Sequence, residues 1–208
     1  MARFALAAVL LSSTLARAGT GAADAHLVSG AQYFREAHYS EALVEFKVAQ
    51  HLGSSPGALW YEAATLVKLE RSEEAIQVFD LAERLAPESK DAVMEYYRAL
   101  AFYQARLYSL ADQALEQVKD EAGPKIAELA AKIRAQIAEY FKQAPTHQTV
   151  DYLIERAEAA AAQHRSALAA AYFAEAAELA ARRSDRYRQS DADEGRSRMR
   201  ALAQELAQ

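Results

Sequence analysis

Residues 42–49 read ALVEFKVA and residues 75–82 read AIQVFDLA. Each copy has Ala, then Phe four positions on, then Ala three after that, so Ala42, Phe46 and Ala49 recur 33 residues later as Ala75, Phe79 and Ala82. Offsets of four and seven fall on one face of an α-helix, so each copy marks a helix that packs through this stripe. Small residues let a neighbouring helix come close, and the ring fills the space between them. A looser copy, Ala111, Leu115 and Val118, follows 36 residues on. A fainter one, Ala169, Phe173 and Ala176, lies in an Ala-rich stretch.

Each marked helix has a partner upstream. Gly30 and Tyr33 precede the first copy, with the turn at residues 37–40 between them and it. Trp60, Ala63 and Ala64 precede the second, followed by a turn at residues 70–72, and Pro87 comes after the marked helix. Tyr96, Ala99, Phe102 and Tyr103 precede the third, with the turn at residues 106–108. The set Gly30, Tyr33, Ala42, Phe46, Ala49, Trp60, Ala64, Ala75, Phe79, Ala82 and Pro87 resembles the tetratricopeptide repeat (TPR) family, whose unit is two antiparallel helices in about 34 residues. Ser29 stands where that family usually has Leu, the second unit is one residue short, and the third carries an insertion near residues 88–91.

The resemblance implies an all-α fold: helix-turn-helix units stacked as a short right-handed superhelix, at residues 23–56, 57–87 and 92–118. Composition agrees with helix. Ala supplies 50 of 208 residues, against seven Gly and four Pro, and helix breakers this scarce argue against sandwiches and barrels. Beyond residue 120, Pro124 suits a first helical turn, and Ile126, Leu129, Ile133, Ile137, Tyr140 and Phe141 follow at helical spacing. Residues 121–208 therefore read as a helical extension of the stack, with a degenerate unit at 148–182. A polar, Arg-rich, loosely attached tail ends in a short helix carrying Met199, Leu202 and Leu206.

The first residues read as an address. A basic start, the apolar run FALAAVLL at residues 4–11, and Ala16-Arg17-Ala18 before Gly19 fit a secretory signal peptide over residues 1–18, cut after Ala18. No Cys occurs, so a lipoprotein anchor, thiol catalysis and disulfides are all excluded. A bacterial periplasm suits such a chain. Without residues 1–18 it carries 22 basic and 29 acidic side chains, and the excess lies in residues 19–120. Nucleic acid and anionic lipid are poor partners for that charge.

Reactive groups are sparse. His26, His38, His51, His147 and His164 show no paired ligand spacing, and no nucleophile stands in a Gly-x-Ser-x-Gly turn. Glu73 and Glu74 open a helix, where carboxylates favour the positive end of the macrodipole, and read as solvated caps. The chain is therefore expected to be non-catalytic, with no cofactor and no metal. In the resembled family the first helices of successive units line a concave groove for a peptide or helix. The matching positions here are Leu27, Ala31, Phe34, Arg35, Tyr61, Thr65, Lys68, Tyr96, Leu100 and Tyr103. The resemblance thus implies a protein-binding adaptor of the cell envelope. The alternative is an assembly subunit that joins copies or partners through the small residues of 157–181.

Overall fold

The computed structural model describes residues 21–53, 56–118, 122–142, 146–182 and 186–205. Among these the chain is helical with no strand, and ten α-helices pack in adjacent pairs. The first pair is α1 (Gly21–Arg35) and α2 (Tyr39–His51), the second α3 (Ala58–Lys68) and α4 (Ser72–Leu85), the third α5 (Ala92–Gln104) and α6 (Tyr108–Glu116). Helix α7 (Pro124–Lys142) packs against α5 and α6, and α8 (His147–Ala162), α9 (Ser166–Arg182) and α10 (Arg186–Glu205) follow. The expected signal peptide, residues 1–18, and its cleavage site lie outside the described residues.

The stripe that marks each repeat is the core. Ala42, Phe46, Ala49, Ala75, Phe79, Ala82, Ala111, Leu115, Ala169, Phe173 and Ala176 are all buried. Twelve positions before each leading Ala stands another small buried residue on the partner helix: Gly30, Ala63, Ala99 and Ala157. The reason is close approach. A Cβ added to Gly30 would lie 2.8 Å from the Phe46 ring, so the two helices of the first pair meet at a contact with no room for a methyl group. Trp60 holds the second pair differently, donating its indole N–H to the Ala86 carbonyl at 2.9 Å.

The same turn closes four pairs. Ala37, Glu70, Arg106 and His164 all have left-handed backbone, with φ of 64, 60, 62 and 57°. The next residue in each case donates its N–H five residues back, His38 to Tyr33, Arg71 to Leu66, Leu107 to Phe102 and Arg165 to Ala160. These bonds satisfy carbonyls that a helix end leaves open. Residues 147–182 thus form a helix-turn-helix with the turn of the first three pairs. Between the second and third pairs, Pro87–Ser89 makes a 3-10 turn, and the Asp91 carboxylate caps α5 by accepting from the N–H groups of Val93 and Met94. That accounts for the insertion near residues 88–91.

The first helices lie side by side, α1 against α3, α3 against α5, and α5 against α7. The extension, expected to prolong this row, does so only through α7. Helix α9 instead packs across α4 and α6, the second helices of two neighbouring pairs. The tail expectation is corrected as well. Residues 186–205 form one continuous helix, and α10 runs along α9. Its Gly195 approaches Phe173 so closely that an added Cβ would stand 2.5 Å from the ring. Ala192 and Met199 are buried on the same face, so the tail is an amphipathic helix seated on α9 with its polar side outward, rather than a loosely attached segment.

Candidate functional site

The residues expected along the groove divide into two groups. Phe34, Thr65 and Tyr96 are buried. Phe34 sits edge-on to Tyr39 and Tyr97, and the Thr65 hydroxyl donates to the Tyr61 carbonyl of its own helix at 2.7 Å. Tyr96 packs against Tyr97, and burial raises its hydroxyl above the usual tyrosine range. These three fix the packing of the row.

The second group faces outward. Arg35 and Lys68 are exposed, and Tyr61, Leu100 and Tyr103 are half-buried. Tyr61 stacks on Phe46 with centroids 5.8 Å apart. Tyr103 donates its hydroxyl to Gln136 of α7 at 2.9 Å, which ties the row to α7. The Lys68 ammonium lies 5.3 Å from the centre of the Tyr97 ring, and desolvation by the surrounding protein draws its pKa below the ordinary lysine value. Arg35 and Lys68 occupy equivalent repeat positions, 33 residues apart. Neither has a carboxylate partner among the described residues.

Two features of the C-terminal layer escape sequence reasoning. The first is an ionic hub at Glu73. Its carboxylate accepts from the Tyr172 hydroxyl at 2.8 Å and from Arg165 at 3.0 Å, and it also pairs with Arg156. Burial alone would raise the pKa of Glu73, but the Tyr172 hydroxyl and the two guanidiniums outweigh it and hold the group below the usual carboxylate range. Glu73 is therefore no solvated cap, whereas Glu74 pairs locally with Arg71. The second feature is Glu175, almost wholly buried, which accepts from the N–H groups of Ser109 and Leu110 in the first turn of α6. Desolvation pushes its pKa up to about 7, against the pull of those two bonds.

Two clefts flank this layer. One, of about 430 Å³, runs between α9 and the second and third pairs, with Ala167, Ala170, Ala171 and Ala174 on one wall and Ile76, Phe79 and Phe102 on the other. At its polar end Arg98 bridges Glu83 and Glu95 at 2.9 and 2.6 Å. The other, of about 520 Å³, opens where α6, α7, α8 and α9 meet and is walled by Tyr108, Tyr140, Tyr152 and Tyr172. Among the described residues no three His, Asp or Glu gather as metal ligands, and no helix is long and apolar enough to cross a membrane. No family model, curated protein or solved structure matches this chain.

Proposed function

We propose that this protein is a non-catalytic adaptor of tetratricopeptide type, exported to the bacterial periplasm, which holds a segment of a protein partner along the row of α1, α3 and α5. The observation that carries the reading is the pair Arg35 and Lys68. Two cations without a carboxylate partner among the described residues recur at one repeat position of a row that also offers Tyr61, Leu100 and Tyr103. Unneutralised charge beside half-buried rings suits a partner segment that alternates carboxylates with apolar side chains, since rings bury area at low entropic cost and cations fix register. The alternative, assembly through the small residues of 157–181, loses ground because Ala169, Ala176, Ala177 and Ala180 are already buried within the chain.

The experiment is site-specific photo-crosslinking in a producing cell. A crosslinker at position 61 should capture a defined protein that one at Val44, exposed on α2, does not. The double substitution Arg35→Glu and Lys68→Glu should cut that capture at least tenfold. Equal capture from positions 61 and 44, or indifference to the double substitution, would sink the reading.

A further inference from the structure

The tyrosine-walled cleft opens beside the C-terminal end of α5, where Arg106 follows that helix and Tyr108 packs on Tyr103 with centroids 5.6 Å apart. Its volume of about 520 Å³ falls among small-ligand pockets, which run roughly from 300 to 1,000 Å³. Four different helices each contribute one ring: Tyr108 from α6, Tyr140 from α7, Tyr152 from α8 and Tyr172 from α9. Tyr108 and Tyr140 stand 4.4 Å apart, centroid to centroid, and form one corner. Tyr152 is 57% exposed, a large ring left open to solvent at the cleft.

Charge at the cleft is one-sided. Among the described residues that line it, Arg106 is the one ionised side chain; the other polar side chains are hydroxyls and the Gln148 amide. No carboxylate pairs with that guanidinium among the described residues. Burial, and after it the charge of Glu175, raise the Tyr140 hydroxyl above the usual tyrosine range, and the positive charge of Arg106 partly counters that rise. In a chain of net charge −5, a lone cation among neutral rings selects an anion. A single planar guanidinium fits the two oxygens of a carboxylate and balances its one negative charge, whereas a phosphate of higher charge is left partly unneutralised by one cation. Tyrosine faces in turn favour a flat ring.

We propose that this cleft binds a flat ring bearing a carboxylate, with the ring among Tyr108, Tyr140 and Tyr152 and the carboxylate on Arg106. Two sources supply that chemistry, a free aromatic acid and a peptide that ends in an aromatic residue. Calorimetric titration of the full chain uses 2-naphthoate and acetyl-Gly-Gly-Phe as free acids, each beside its neutral amide. At least one acid should bind tenfold or more tighter than its amide, and the better acid identifies the source. Arg106→Ala should erase the difference between acid and amide, and Tyr152→Ala should weaken both by fivefold or more. Arg106→Ala is compatible with the turn, because Ala37 holds the same left-handed position in the first pair. If neither acid binds, if acid and amide bind alike, or if Arg106→Ala leaves the difference intact, the proposal fails.

Discussion

The Glu175 carboxylate on α9 accepts the backbone N–H of Ser109 on α6 at 2.9 Å, across 66 residues of sequence. A buried acid thereby caps the helix of another pair. With its pKa raised to about 7, the folded chain keeps this proton to higher pH than the unfolded chain does. Its contribution to stability is therefore complete below the ordinary glutamate pKa and declines as pH rises through about 7. The loss is at most about 3 kcal/mol. Thermal melts at pH 5 and pH 8 should show the native chain losing more stability than Glu175→Gln, whose amide keeps an acceptor but cannot ionise. Equal losses in the two proteins would show that Glu175 does not titrate between those pH values.

The Glu73 hub predicts the opposite sign. Its pKa is depressed, so its contribution is present above the unfolded glutamate pKa and is lost as pH falls through the lower, folded value. Glu73→Ala leaves Arg156 and Arg165 without their shared partner and should cost about 1–3 kcal/mol. Hydrogen exchange in α8 and α9 should accelerate while α1 and α2 stay protected. Uniform acceleration throughout the chain would contradict a hub that serves the C-terminal layer.

The left-handed turns are open to improvement. Ala37 has φ of 64°, a conformation that costs an L-residue about 1–2 kcal/mol. Glycine removes that cost and gives back about 0.5–1 kcal/mol in unfolded-state entropy. Ala37→Gly should therefore raise stability in urea by about 0.5–1 kcal/mol. A loss would mean that the Ala37 methyl group packs more usefully than its exposure suggests.

The seat of α10 can be tested at Gly195. Alanine there gains about 1 kcal/mol of helix propensity, yet its Cβ meets the Phe173 ring at 2.5 Å. Overpacking of this kind costs about 1–3 kcal/mol. Gly195→Ala should be net destabilising and should open α10 first to limited proteolysis, with Gly195→Leu worse. Unchanged proteolysis would mean that α10 can shift along α9 at no cost.

The part of this architecture that could be read from sequence rests on the Ala, Phe, Ala stripe. Burial on one helical face at offsets of four and seven leaves a periodic trace, and Ala42, Phe46 and Ala49 carry it plainly. At Ala169 the same stripe is submerged in alanines that face other ways. Three of the turns, at residues 37–40, 70–72 and 106–108, could be placed between the marked helices, but their left-handed backbone gave no sign, because none of Ala37, Glu70, Arg106 and His164 is glycine and the geometry is imposed by the helices on either side. Glu73 and its partners lie 83 to 99 residues apart, beyond any local pattern. Phe34, Thr65 and Tyr96 occupy the row as expected, but whether a side chain at such a position points outward or into the neighbouring helix depends on a packing angle that spacing does not encode.

A train of hairpins bends at its seams, where one pair meets the next. Helix α9 lies across the seam between the second and third pairs and touches α4 and α6 together, so it acts there as a splint. The seam between the first and second pairs is crossed by side chains instead, with the Phe34 ring of α1 reaching Tyr97 of α5 and Gln50 of α2 donating to Glu62 of α3. Any breathing of the array should therefore concentrate at that joint, between Arg35 and Lys68, and change the spacing of the two cations while the rest keeps its shape.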